Sequence, residues 1–393
     1  VEMSELTALL TRDGLALLDE VGAVESSADV ARSVSRLRAA GHSPDLVSAV
    51  VGQAHLRMRA RAKFGEFADR MLFTRAGLEQ ATRLSVATMH AVRMRRAGIT
   101  RVADLGCGIG GDSLAFAGAG FAVDAVDADE VTSAIAAYNL APFPDASVRQ
   151  GTAESSLPDE GAVWLDPARR TAGHSETTRT SAADWSPSLD WCFEVAREHP
   201  TGIKLGPGLD RDLIPSDVEA QWVSADGSVV ELVLWSGELA RPGIRRSALV
   251  MQAGETHELT AAADADDEPV RELGAFLHEP DGAVIRARLI GDAARMLEAG
   301  MLDEQIAYLT GDAALTSPFV QSFRVRESLP AHVKTINQAL RANDIGRLEI
   351  KKRGMDIDPA AFRKKLSLKG SKAATLILTR TAAGRMAILA DRV

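Results

Sequence analysis

The sequence predicts an α/β protein in which a doubly wound parallel sheet lies between a helical amino-terminal stretch and a small α+β carboxyl-terminal unit. Three observations carry that expectation. From Thr100 onward, short apolar strands alternate with helical segments, the rhythm of a parallel sheet wrapped by helices. The first strand runs into Asp104-Leu105-Gly106-Cys107-Gly108-Ile109-Gly110-Gly111-Asp112, a strand, glycine-loop and helix junction. The alternation closes with two strands joined at Asp226-Gly227, a strong hairpin signal.

Residues 1–98 are expected to form a helical domain. Leu6, Leu9, Leu10, Leu17 and Leu18 recur at helical spacing, and Val47, Val50, Val51, Ala54 and Met58 repeat it. Gly41-His42-Ser43-Pro44 separates two helices, with Ser43 or Asp45 as the cap of the second. Within 99–238 the strands are Arg101–Leu105, Phe121–Asp127, Ser147–Gln150, Ala162–Asp166 and Gly202–Leu205. Helices are expected at Asp112–Gly118, Glu130–Leu140 and Ser188–Glu198, and the hairpin at Val218–Ser224 and Val229–Ser236. Residues 239–329 read as a β-rich connecting region: Ser247–Gln252 and Glu272–His278 flank the acidic loop Asp264–Glu268, and a helix follows Pro280-Asp281. Residues 330–393 read as helix, strand, helix and two strands, at Ala331–Ala342, Arg347–Lys352, Pro359–Leu366, Ala374–Thr381 and Arg385–Asp391.

Composition narrows the class. At 393 residues the chain has room for two or three domains, and 46% hydrophobic with 25% charged residues is ordinary for a globular protein. The longest uncharged apolar run, Leu114–Val123, falls far short of the roughly 20 residues that span a bilayer. No basic stretch followed by an apolar core opens the chain, so a cytoplasmic protein is expected. Cys107 and Cys192 are too few for a disulfide framework or a clustered zinc site, and the eight histidines are scattered, so no metal is expected. The net charge of −9 hides an asymmetry: Pro330–Val393 carries 14 Lys+Arg against 5 Asp+Glu, while His55–Arg96 carries ten against three. Two basic segments on an acidic chain point to a polyanion surface; solvated helix faces are the alternative.

The glycine segment suits a nucleotide-type cofactor, because glycine lets the backbone approach a ligand closely. Its spelling fits both GxGxG and the dinucleotide fingerprint GxGxxG. A dinucleotide pyrophosphate wants positive potential at this loop, and Asp104 and Asp112 would repel it. S-adenosylmethionine carries an ammonium and a sulfonium, so an acid beside Gly106, Gly108 and Gly110 favours that cofactor. Asp127, 17 residues past Gly110 at the end of the second strand, is placed to accept ribose hydroxyls, with Asp129 as the near alternative. Thr152 and the backbone at Ala153 are candidates for the adenine, and Glu154 reads as a helix-start residue.

Asp166-Pro167-Ala168-Arg169 ends the fourth strand, at the carboxyl edge where open α/β sheets place their chemistry. A carboxylate and a carbonyl there accept hydrogen bonds from a target amine, and proline stiffens the turn. Asp166, Pro167 and Arg169 are therefore catalytic candidates. Compared with the Asp/Asn-Pro-Pro-aromatic spelling of many nitrogen-methylating enzymes, Ala168 replaces a proline and Arg169 the aromatic ring. Arg169 and Arg170 can instead hold a phosphate or stack through their guanidinium planes. Lys204, on the same sheet edge, is a substrate-binding candidate; a packed stem with a solvated head is the alternative. The Asp-Pro-Ala-Arg spelling is also similar to RNA uridine-C5 methyltransferases, which need an activated cysteine. The equivalent segment Ile203–Gly208 has no cysteine and Cys192 reads as packed in a helix, so direct transfer is expected.

Taken together, the chain resembles a bacterial family of class I S-adenosylmethionine-dependent methyltransferases with a carboxyl-terminal THUMP-like domain. The resemblance rests on Lys63-Phe64, Phe73–Thr82, Asp104–Asp112, Asp166–Arg170, Lys204–Gly208 and Lys351-Lys352-Arg353-Gly354. More distantly the core is similar to cap-guanine-N2 methyltransferases. The resemblance implies a Rossmann-like, seven-stranded core over 99–238 and a basic THUMP-like domain over 330–393. It implies RNA as substrate, tRNA or rRNA undetermined, with Lys351, Lys352 and Arg353 gripping phosphates and Glu79-Gln80-Ala81-Thr82 folding over the cofactor. A small-molecule methyltransferase, and a catalytically silent module that binds S-adenosylmethionine or RNA, stay open as alternatives.

Overall fold

Capping residues cut the amino-terminal stretch into separate helices. The computed structural model describes residues 2–169, 185–381 and 384–393, with Arg169 described by its backbone alone. The chain forms two compact units, one of Val1–Leu205, Leu209–Val218 and Leu234–Ala240, the other of Gly206–Gly208, Glu219–Val233 and Arg241–Val393.

The first unit begins with α1 (Met3–Leu9), α2 (Arg12–Val21), α3 (Ser27–Ala39), α4 (Pro44–Phe64), α5 (Arg75–Gln80) and α6 (Leu84–Arg96). Thr11 accepts from the Gly14 N–H, Ser26 from Asp29 and Ser43 from Leu46, each supplying an acceptor that the first turn lacks. Ser43, followed by Pro44 at the first helical position, is thus the cap of α4. Helix α4 buries Val47, Val50, Val51 and Ala54, and α1, α2 and α3 pack on it.

Then come β1 (Arg101–Leu105), α7 (Gly111–Gly118), β2 (Ala122–Asp127), α8 (Glu130–Leu140), β3 (Ala146–Gln150), β4 (Ala162–Leu165), short β5 (Ala168–Arg169) and β6 (Trp185–Ser186), α9 (Leu189–Glu198) and β7 (Thr201–Leu205). Five strands run parallel in the order β3-β2-β1-β4-β7. Strands β4 and β7 are buried at every position, as parallel strands covered on both faces are. The chain order reverses between β1 and β4, and that switch point opens a crevice at their carboxyl ends. Gly202 lies opposite Trp164 in the β4–β7 register. A Cβ there would sit 2.6 Å from the Trp164 ring and 2.8 Å from the Trp235 ring, so only glycine lets these indoles pack together.

β8 (Glu219–Ala225) and β9 (Ser228–Trp235), which but for Leu234 and Trp235 belong to the second unit, are joined by Asp226 and Gly227 at φ 50° and 78°. Two left-handed residues are what a tight hairpin of this hand requires. β10 (Arg246–Gln252) pairs parallel with β8 and antiparallel with β11 (Glu255–Ala261). β12 (Phe276–Pro280), α10 (Gly282–Arg286), α11 (Ile290–Met296), β13 (Gly300–Asp303), β14 (Ile306–Gly311) and β15 (Val320–Pro330) follow. The chain ends with α12 (Val333–Ala342), β16 (Ile345–Lys352), α13 (Pro359–Arg363), β17 (Lys372–Thr381) and β18 (Gly384–Arg392). Seven strands form one sheet, β13-β14-β12-β15-β18-β17-β16. Pairing of β15 with β18 runs from Phe323↔Arg392 to Pro330↔Met386, so the sheet continues across residue 330. Ile336, Leu340 and Phe362 of the two helices cover one face, and Leu277, Tyr308, Phe323, Ile377 and Ile388 pack on the other. Among the described residues no helix is long and apolar enough to cross a membrane.

Candidate active site

Three glycines make the turn at the carboxyl end of β1. Gly106, Gly108 and Gly110 adopt φ 97°, 56° and 84°, a region that side chains with a Cβ rarely enter. The Gly106 and Cys107 N–H groups donate to the Val126 carbonyl at 2.8 and 3.0 Å, tying the loop to β2. Gly108 N–H donates to the Asp127 carboxylate at 2.9 Å, and the other carboxylate oxygen accepts the Asp129 N–H at 3.0 Å. Burial pushes the Asp127 carboxyl above its usual range against the pull of these hydrogen bonds. Asp129 instead caps α8 by accepting the Thr132 N–H at 2.8 Å. The two neighbouring acids are thus separated: Asp127 lines the cleft and Asp129 serves the helix.

The loop borders a cleft of about 670 Å³, a size suited to a small ligand. Gln80, Ala81 and Thr82 line it between α5 and α6, and Gly151–Glu154 line it after β3. Asp166 just after β4, Ala168 of β5, Ser186 at the end of β6 with Pro187 after it, and Lys204 of β7 also line it. Among its described lining residues Asp112, Asp127, Glu154 and Asp166 are acids, and Lys204 is the one basic residue. That wall disfavours a pyrophosphate and suits a cofactor bearing an ammonium and a sulfonium. Loop and strand end approach closely, for a Cβ on Gly106 would lie 3.5 Å from the Asp166 carbonyl oxygen.

Lys204 joins three segments far apart in sequence. Its Nζ lies 2.6 Å from Asp166 Oδ2 and 3.3 Å from Asp112 Oδ2, and donates to Thr82 Oγ1 at 2.7 Å. Asp112, at the start of α7, also accepts from Thr82 Oγ1 at 2.8 Å and from His90 Nδ1 at 2.9 Å. Burial by itself would raise the Asp112 carboxyl, but Lys204 and the His90 and Thr82 hydrogen bonds hold it well below the carboxylate range. The His90 ring packs on Trp164 with centroids 4.4 Å apart. Behind this cluster, Lys63 of α4 donates to the Leu78, Glu79 and Ala81 carbonyls at 2.8, 2.8 and 2.7 Å, fastening the end of α5.

Other candidates lie elsewhere. Asp104 is 1% exposed and is not among the cleft-lining residues; one carboxyl oxygen accepts Ser113 Oγ–H and the other is buried without a partner. Burial, with Asp112 close by, pushes it up to about 8. The negative wall inferred from Asp104 is therefore supplied by Asp112, Asp127, Glu154 and Asp166. Thr152 lines the cleft, its hydroxyl donating to Ser155 at 3.1 Å, beside Ala153. Pro167 is buried, and β5 pairs Ala168 with Ser186. The Arg169 side chain and all of Arg170 lie outside the described residues. In the second unit, Lys351 and Arg353 both pair with Glu279, whereas Lys352 is exposed. Several basic residues of 55–96 are engaged in the fold: Arg57 donates to the Met71 carbonyl, Arg61 pairs with Asp69, and Arg93 donates to the Leu239 carbonyl. Sequence reasoning passed over His90, which has no local pattern to mark it.

A parallel sheet with its switch point at β1 and β4, a left-handed glycine loop and an acid closing β2 define the class I methyltransferase fold. Residues 320–392 match the THUMP domain-like family, and residues 2–60 match a domain of unknown function, DUF8688. The chain is 34% identical over 364 residues to uncharacterized S-adenosylmethionine-dependent methyltransferases of Mycobacterium tuberculosis strains CDC 1551 / Oshkosh and ATCC 25618 / H37Rv, covering 89% of this chain and 96% of theirs. It belongs to that family of S-adenosylmethionine-dependent methyltransferases, and S-adenosylmethionine is its cofactor. A crystal structure from Porphyromonas gingivalis W83, assigned as a methyltransferase, shares the fold at a TM-score of 0.72 and 21% identity, covering 89% of this chain and 91% of that one.

Proposed function

We propose that this enzyme methylates RNA at a base nitrogen by direct transfer, with Asp166 facing the acceptor amine. The observation that carries the reading is the position of Asp166: on the cleft wall, at the end of β4, its carboxylate paired with Lys204 and its carbonyl beside Gly106. A carboxylate so placed accepts the N–H of an amine and directs the nitrogen lone pair into the cleft. Bound S-adenosylmethionine supplies an electrophilic methyl group on a sulfonium that leaves as a neutral thioether. Asp127 would accept the ribose hydroxyls, Thr152 and Ala153 would border the adenine, and the glycine loop would lie against the chain between them. Buried Pro167 holds the turn that presents Asp166.

Neither cysteine is suited to a covalent step. Burial raises the Cys107 thiol well above its usual range, and Cys192 is 0% exposed and pushed up to about 12, also by burial. RNA is favoured over a small molecule by the THUMP domain-like segment and by exposed Lys352, Lys364, Lys365, Lys369 and Lys372 around it. An RNA substrate and two free thiols suit the reducing cytoplasm.

The test is methyl transfer from labelled S-adenosylmethionine to total RNA, followed by nucleoside identification. Asp166→Ala should lose transfer by about 100-fold or more while cofactor affinity stays within about threefold. RNA affinity should fall steeply with salt as phosphate contacts release counterions. A flat salt response, or a substituted enzyme that still transfers, refutes the reading.

A further inference from the structure

We infer that Lys204 is a positioning residue: clamped by Thr82 and Asp112, it holds Asp166 as a fixed carboxylate, which commits the site to acceptors that donate a hydrogen bond, amines rather than anionic oxygens. The inference rests on the reading of Asp166 as the group facing the acceptor.

The geometry is specific. A lysine only 9% exposed makes polar contacts to Thr82, Asp112 and Asp166, each from a different part of the first unit. Thr82 and Asp112 also bond to one another, and His90 holds the second oxygen of Asp112, so the clamp exists without Asp166. Asp112 ionised requires that His90 Nδ1 carry the proton it donates. With Thr82 and Asp112 already bonded to one another and to the ammonium, Lys204 presents its charge to Asp166 Oδ2 at 2.6 Å. An ammonium at this distance favours the charged carboxylate, and a carboxylate accepts but cannot donate. An alkoxide or phosphate oxygen would meet a negative group, whereas an exocyclic amine would be hydrogen-bonded. Among the described residues, the charged and titratable groups around Lys204 are Asp166 after β4, Asp112 of α7, His90 of α6, Asp104 of β1 and, farther off, Lys63 of α4.

The experiment needs no substrate. Full-length protein labelled with carboxyl-¹³C aspartate is titrated by NMR, with the Asp166 signal assigned by Asp166→Asn. The parent is compared with Lys204→Met, Lys204→Arg and Thr82→Val, and cofactor affinity is measured for each. In Lys204→Met the Asp166 midpoint should rise by about one pH unit or more, with Lys204→Arg restoring at least about half of the shift and Thr82→Val showing a smaller rise. An unmoved Asp166 midpoint in folded Lys204→Met or Thr82→Val overturns the inference. So does a cofactor affinity that falls tenfold or more while Asp166 titrates as in the parent, since Lys204 would then be a cofactor ligand. Should Lys204→Met not fold, Thr82→Val, which keeps every charge, decides on the same criterion. If instead Asp166→Asn transfers methyl groups as well as the parent does, the reading of Asp166 fails while the titration result stands.

Discussion

Gly77→Ala should damage cofactor binding from outside the glycine loop. Gly77 lies in α5, and a Cβ there would sit 2.4 Å from Ile109 Cγ2 and 2.7 Å from Thr74 Oγ1. Ordinary contact begins near 3.4 Å, so the Ile109 and Thr74 side chains, or the segments that carry them, must give by about 1 Å. Neither side yields easily. Thr74 caps α5 by accepting the Gly77 N–H at 2.9 Å, and Lys63 pins the far end through three carbonyls. Overpacking of this kind costs about 1–3 kcal/mol. Gly77, Ile109 and Gln80–Thr82 all line the cleft, so the strain should appear as roughly 5- to 150-fold weaker S-adenosylmethionine binding. Titration calorimetry with cofactor and a thermal melt measure it. Gly52→Ala is the control: Gly52 is exposed in α4 with nothing within 4 Å, and alanine there should stabilise by about 0.5–1 kcal/mol. Parent-like affinity and melting in Gly77→Ala would refute the claim that α5 packs against the loop.

Asp104 makes stability depend on pH. Its carboxyl is raised from 3.8 to about 8, so the folded state holds a proton that the unfolded chain releases between those values. Its contribution is complete below the unfolded value and is lost as pH rises through about 8, at up to about 1.4 kcal/mol per pH unit. Asp104→Asn keeps an acceptor for Ser113 and should flatten the fall in melting temperature over that window; parallel curves would dismiss the assignment. Asp112→Asn should cost about 1–3 kcal/mol, because it weakens a buried hydrogen-bond cluster while Asp166 still pairs the lysine; calorimetric unfolding would show it, and an unchanged melting temperature would argue against the cluster. Cys192→Ala should transfer methyl groups within about twofold of the parent rate, and a trapped protein–RNA adduct lost in that variant would restore a covalent mechanism.

Local rules explain why much of the fold could be read from the chain. Ser43-Pro44 starts a helix, and Asp226-Gly227 closes a hairpin, through contacts spanning a few residues. The glycine loop and Asp127 were legible for the same reason, since strand, turn and following acid form one continuous motif. Separation in sequence hid the rest. Lys204 meets Thr82 across 122 residues and Asp112 across 92, and no spacing rule reaches that far. The pairing of Lys351 and Arg353 with Glu279 spans more than 70 residues and could not be read from the sequence either.

The sequence by itself pointed to the cofactor class, because a glycine turn after an apolar strand, with Asp112 beside it and Asp127 closing the next strand, carries its geometry and part of its charge within one continuous motif. Tertiary structure decided which acids line the cleft. Folding buries Asp104 off the cleft wall as a neutral acid up to about pH 8, and delivers Asp112 and Asp166 to one lysine. Charge in a site depends on burial and on partners from other strands, and only the folded chain sets both.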